Sequence, residues 1–198
     1  KNGIPVPLTR AVEEVRKYAH GLRLMNGGFT LSGGEPLLQD PFAARLFAAV
    51  KGMGVHTAIE TNGYYADRLS DQEVPNIDLV ILHMKAFTPE QHRRVTGLLN
   101  AEVLEFARRL ATLKRPMWLR YVLVPGLTDV REEMEALASF GASLEVVERV
   151  EILPFHQLGE YKWHRLGLTY ELEATKPPTA EEVAKAVAIF RAAGLQAD

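Results

Sequence analysis

The chain has 198 residues, 47% of them apolar and 24% charged, with a formal net charge of −2. Such a length sustains one domain whose core needs no disulfide or metal staple, and so small a charge offers no basic stripe for nucleic acid. No apolar run nears the roughly 20 residues that span a bilayer and no secretory signal is recognisable, so the cytoplasm is the expected compartment; with 0 cysteines, disulfides, thiolate zinc sites and cysteine-held iron–sulfur clusters are excluded within the chain.

Helical and strand-like segments alternate throughout, without repeats or low-complexity tracts, which predicts a single domain over residues 1–198. Thr9 is the expected cap of a first helix carrying Val12, Val15, Ala19 and Leu22 on one face, with Glu13 and Glu14 near its positive end. Gly27-Gly28 admits a strand over Phe29–Ser32, and Pro41 starts a second helix with Phe42, Leu46, Val50 and Met53 on one stripe. Val55–Glu60 reads as strand two and Leu79–Lys85 as strand three. EQHRR at 90–94 reads as a solvated helix face. A helix follows over about Ala101–Leu113, and Trp118–Val124 is strand four. Asp129 to about Phe140 is helical, and Val150–Pro154 is strand five. Thr179-x-x-Glu182 predicts a capping box for a last helix that buries Val183, Val187 and Phe190 and stops at Gly194.

Strands separated by single amphipathic helices imply a parallel sheet with right-handed crossovers. LVIL and YVLV are the near-continuous apolar runs of strands buried on both faces. Five βα units are too few for an eight-fold barrel, leaving a partial barrel or a doubly wound sheet. In both, ligands bind at the C-terminal strand ends. Those ends are polar here: Gly33-Gly34-Glu35 after strand one, Glu60-Thr61-Asn62-Gly63 after strand two, His83 and Lys85 at strand three, Arg120 in strand four, and His156 after strand five. If they converge, two cations, two imidazoles and two carboxylates meet beside a glycine-lined backbone. That set suits a zwitterion, with Lys85 and Arg120 for its carboxylate and Glu35 with strand-end carbonyls for its ammonium. Each residue taken singly also has a purely structural reading. Gly33-Gly34 suits a plain turn, His83 a hydrogen-bonded core histidine, Arg120 an ion pair with a neighbouring strand's glutamate, and His156 an ordinary loop.

GGFTLSGGEPLLQ, VHTAIETNG, DLVILHMKAFTPEQHRRVTG, WLRYVLVPGLTD and LPFHQLGEYKWHRLG…KPP together resemble the radical S-adenosylmethionine activases of glycyl-radical enzymes, in order and over essentially all of the chain. The resemblance implies an α/β fold, a parallel partial (β/α) barrel. In that family a [4Fe–4S] cluster on a C-x3-C-x2-C loop reduces S-adenosylmethionine, and the resulting 5′-deoxyadenosyl radical takes a hydrogen from a glycine of the partner. The implied partner is a glycyl-radical enzyme of the pyruvate formate-lyase type, with a reductant such as flavodoxin for the complete protein.

Carried over by position, Gly33, Gly34 and Glu35 match the residues at the methionine amino group. Lys85 and Arg120 match residues near its carboxylate, and His156 one that approaches the nucleoside. Glu60 and Thr61 stand where the family more often has Asp-Thr, and His83 where an aspartate is common in D-x-K, so that a negative charge is lost. The chain opens at KNGIPVP, about where the family has passed its cluster loop. The expectation is therefore a chain that begins late, lacking the first strand and the cluster cysteines, able to hold S-adenosylmethionine but not to cleave it. The alternative is a cluster-free module that binds the cofactor or the partner without chemistry. A hydrolase or phosphate-binding barrel is a third reading, but G-x-S-x-G and a P-loop are both missing.

Overall fold

The computed structural model describes residues 3–198. Five strands form one sheet in the order β1-β2-β3-β4-β5: Gly28–Leu31, His56–Thr61, Leu79–His83, Met117–Leu123 and Val147–Pro154. Among the described residues seven α-helices accompany the strands: α1 Leu8–Leu24, α2 Asp40–Gly52, α3 Pro89–Thr96, α4 Ala101–Thr112, α5 Arg131–Ser143, α6 Glu160–Arg165 and α7 Ala180–Ala192. The chain divides into two compact units, one of residues to His83 with Glu102–Trp118, the other Met84–Ala101 with Leu119–Asp198.

In the first unit β1, β2 and β3 pair in parallel, Leu31 opposite Ile59 and Thr61 opposite Leu82. The connections run through helices, as parallel pairing requires. Ala19 of α1, Leu46 and Val50 of α2 and Val55 form a buried cluster against which Phe29 and Leu31 pack. The predicted stripes of α1 and α2 are thus the faces that cover β1. Trp118 closes over Ala58, Leu79 and Ile81, and β3 is buried along Leu79–Leu82, in keeping with its continuous apolar run.

In the second unit Tyr121 and Phe190 are fully buried with ring centroids 6.2 Å apart, and the Tyr121 hydroxyl donates to the Thr128 carbonyl at 2.6 Å. Burial and the charge of Glu133 both push that phenol's pKa upward. The predicted Thr179/Glu182 capping box is present on α7. After α7 the chain returns alongside β5: Val150 N donates to the Gln196 carbonyl at 2.8 Å and Ile152 N to that of Asp198 at 2.8 Å. These bonds make the C-terminal residues a short parallel extension of the sheet, which local pattern did not disclose.

Several boundaries differ from expectation for identifiable reasons. Helix α1 starts at Leu8 with Pro7, not Thr9, at its cap. The Pro7 carbonyl accepts the first bond, from Ala11 N at 3.1 Å, and Glu13 and Glu14 fall beyond the first turn. Strand β3 ends at His83 rather than Lys85, because the backbone that follows is taken over by side chains. Phe87 N and Thr88 N each donate to Glu133 Oε2 at 2.9 Å, and the Asn100 amide donates to the Phe87 carbonyl. Strand β5 begins three residues earlier than predicted, at Val147. Helix α6 was not expected at all.

Candidate functional site

The stretch after β1 is shaped by two consecutive glycines with left-handed backbone, Gly33 at φ 91° and Gly34 at φ 60°. Residues with side chains rarely adopt this conformation, and a Cβ placed on either glycine would meet nothing within 4 Å. The turn is therefore an open piece of backbone rather than a packed one. Glu35 then caps a short 3-10 helix, Pro36–Gln39, accepting from Leu37 N at 3.0 Å.

The same carboxylate reaches the end of β2. Glu35 Oε1 accepts from the Thr61 hydroxyl at 2.7 Å and Oε2 from Asn62 N at 2.8 Å. Three donors converge on one carboxylate, and such charge-assisted bonds are the stronger kind. Glu35 thus clamps the glycine turn to the neighbouring strand end. The donor end of that clamp is itself fixed. Thr61, 2% exposed, accepts from Gly63 N at 3.0 Å, and Asn62 Oδ1 accepts from Tyr64 N at 2.9 Å in an Asx-type turn. One residue upstream, Glu60 Oε1 lies 2.7 Å from His83 Nε2 at the end of β3, both side chains being largely covered. The structure brings Glu35 together with Thr61, and Glu60 together with His83.

The second unit holds the remaining predicted residues. Lys85 is half-buried and follows Met84, whose N–H donates to the Arg120 carbonyl at 2.9 Å. Its C-terminal neighbours are those anchored by Glu133 and Asn100. The Arg120 guanidinium pairs with Glu151 on β5, both largely covered; an ion pair with a neighbouring strand was the structural reading of this arginine. His156 is exposed, and its Nδ1 accepts from Leu158 N at 3.3 Å. It follows Phe155, whose N–H donates to the Leu123 carbonyl at 3.0 Å.

Sequence reasoning missed Glu133, Asn100 and Glu151, and named Asn62 only as part of the polar end of strand two. Asn62 carried a signal, since Asn-Gly marks a turn. Glu151 lay in an alternating strand opposite Arg120. Glu133 and Asn100 are distant in sequence from the backbone they hold, and nothing local marked them.

Residues 2–140 match the Radical SAM superfamily, and the chain belongs to it. It is 43% identical over 187 residues to the pyruvate formate-lyase-activating enzyme of Staphylococcus epidermidis, covering 91% of this chain and 74% of the relative. It is also 42% identical over 184 residues to that of Staphylococcus aureus, covering 90% and 73%. Among solved structures, a domain of pyruvate-formate lyase-activating enzyme from Bacteroides vulgatus superposes with a TM-score of 0.70 at 24% identity, over 87% of this chain and 98% of that one. Streptococcus suis SuiB bound to S-adenosylmethionine gives 0.73 at 14% identity, over 100% of this chain and 44% of that one. These two likenesses bear on the fold, that of a radical-SAM partial barrel. The sequence relatives make the chain the core of a radical-SAM protein of the pyruvate formate-lyase-activating type. Full members of the family use S-adenosylmethionine and a [4Fe–4S] cluster. A cluster needs thiolate ligands, and 0 cysteines occur here, so the residues present do not fit one. No helix among the described residues is long and apolar enough to cross a membrane.

Proposed function

We propose that this chain holds S-adenosylmethionine at the C-terminal ends of its strands, as the cofactor-binding core of an activase whose target is a glycine of a glycyl-radical enzyme. The observation that supports this most is the clamped glycine turn. Two open, left-handed glycines present backbone directly to a ligand, and Glu35 holds them with three hydrogen bonds. Carbonyls of that turn accept the methionine ammonium, and Glu35 adds its negative charge. Three of the carboxylate's roughly four acceptor positions already serve the turn, so its larger task is positioning.

Lys85 and Arg120 take the methionine carboxylate. On this reading the first unit also offers Glu60, Thr61 and His83, and the second offers His156 to the nucleoside. When bound, S-adenosylmethionine would supply a sulfonium open to reductive cleavage. The chain's residues bind and orient that cofactor, and no electron-transfer step is assigned to them. The partner in this reading is a pyruvate formate-lyase-like enzyme, with a flavodoxin-like reductant serving the complete activase in the cytoplasm.

Isothermal titration of the folded chain with S-adenosylmethionine tests the reading. One equivalent should bind. Lys85→Ala and Arg120→Ala should each weaken binding by about 10- to 100-fold, the worth of a hydrogen bond to a charged group. A folded chain that takes up no S-adenosylmethionine, or binds it unchanged in both variants, would refute the assignment.

A further inference from the structure

Glu160 and His164 lie four residues apart on α6, a spacing that places them on one face of the helix, with His164 Nε2 3.3 Å from Glu160 Oε1. Beyond α6 the chain turns at Gly167 and comes back through two tight turns, Glu173 N donating to the Tyr170 carbonyl at 3.2 Å and Thr175 N to that of Leu172 at 3.0 Å. The returning stretch is fastened just upstream of α6. The Gln157 side-chain amide lies 3.3, 2.7 and 3.1 Å from the carbonyls of Leu172, Glu173 and Thr175. The rings of Trp163 and Tyr170 pack with centroids 5.7 Å apart and close the same loop. The outcome is that one ligand atom each from Glu160, His164 and Glu173 lies within 4.8 Å of the others.

We infer that Glu160, His164 and Glu173 form a site for one first-row divalent cation of the Zn2+ class. Metal–ligand bonds of about 2.0–2.2 Å in a tetrahedron put neighbouring donors about 3.3–3.5 Å apart. The Glu160–His164 separation already meets this, and a rotamer change at exposed Glu173 brings in the third donor. Among the described residues Glu160 pairs with His164, which leaves both within reach of one cation.

The donor set selects the metal class. Calcium and magnesium take all-oxygen shells, whereas an imidazole suits zinc and its first-row neighbours. Three protein donors leave the remaining positions to water. None of these residues belongs to the cofactor set, so the site stands apart from that reading.

The test uses the chain stripped of metal with a chelator and titrated with ZnCl2 by calorimetry, and with CoCl2 followed by visible absorption. One equivalent of Zn2+ should bind, and Co2+ should show a d–d band. Even outer-shell changes at metal sites cost about 10- to 100-fold, so His164→Ala should weaken Zn2+ binding by about 100-fold or more. Glu173→Gln should also weaken it, while His20→Ala, at an exposed imidazole of α1, should leave it unchanged. Both site variants alter exposed side chains, and unchanged circular dichroism verifies their folding. Bound Zn2+ should also slow proteolysis between 160 and 173. Failure of the wild type to bind one equivalent, or wild-type affinity in His164→Ala and Glu173→Gln, would overturn the proposal.

Discussion

Replacing Glu35 probes the glycine clamp most directly, because one carboxylate receives Leu37 N, the Thr61 hydroxyl and Asn62 N at 3.0, 2.7 and 2.8 Å. Glutamine keeps the shape. Its oxygen still accepts from Leu37 and Thr61, but its NH2 group faces the Asn62 N–H and one bond is lost. Net hydrogen bonds to charged groups contribute about 1.5–3 kcal/mol each, so Glu35→Gln should cost about 1–3 kcal/mol. Glu35→Ala removes all three and strands the hydroxyl of Thr61, which is 2% exposed. Water reaches the half-buried site and offsets part of that, leaving a loss of about 3 kcal/mol. With a urea slope of about 3 kcal/mol/M, the alanine variant's midpoint should fall by about 1 M. Urea unfolding followed by circular dichroism measures this, and the same samples titrated with S-adenosylmethionine should bind it more weakly in the order wild type, glutamine, alanine. An alanine variant as stable as wild type, or a glutamine variant less stable than alanine, would show that the clamp does not hold the turn.

Two further outcomes follow from the same strand ends and their opposite edge. Gly63 has φ 74°, and a Cβ there would sit 2.7 Å from Leu82 Cδ1. Gly63→Ala should cost about 2–5 kcal/mol, from about 1–2 for left-handed backbone and about 1–3 for overpacking; a melting temperature equal to wild type would contradict it. Burial tends to raise the pKa of Asp78, but the Lys51 ammonium and the amide and hydroxyl of Thr57 outweigh it and hold the carboxyl below its usual range. A folded pKa below the unfolded value of about 3.9 contributes stability that is full above it and fades as pH falls through the folded value. Asp78→Asn should therefore lower stability at neutral pH and flatten its acid loss below about pH 4, and parallel stability–pH curves for the two proteins would exclude this role.

The parallel sheet was legible because its buried strands are continuous apolar runs and its helices carry one-sided stripes. Leu46 and Val50 are buried as their spacing requires, and Thr179 and Glu182 form the capping box their spacing spells. What escaped was decided by contacts distant in sequence. Strand β3 stops short of Lys85 because Glu133, 45 residues beyond Thr88, takes the backbone donors. The C-terminal residues extend the sheet because Val150 and Ile152 offer them a ladder. A reading built on local period has no access to either fact.

That polar groups gather at the ends of apolar parallel strands was legible, since such groups are costly there unless they are partnered. Their partners were less so, and the partners alter what each residue can do. Glu35 was expected to face a ligand ammonium, yet three hydrogen bonds already occupy most of its accepting capacity, which leaves it less to offer a ligand. His83 replaces a common aspartate with a group that is cationic when protonated, and its 2.7 Å contact with Glu60 supplies the compensating carboxylate from the adjacent strand. The loss of charge at position 83 is thus met locally within the same unit. Arg120 meets Glu151, so a ligand carboxylate at that guanidinium would bind beside a carboxylate already present, and its affinity there would depend on bidentate geometry more than on net charge. Lysine at position 120 would keep the charge and lose that geometry. Comparing Arg120→Lys with Arg120→Ala therefore separates shape from charge: if the fork is what binds, the lysine variant should lose nearly as much affinity for S-adenosylmethionine as the alanine variant, and full retention by lysine would show that charge alone suffices.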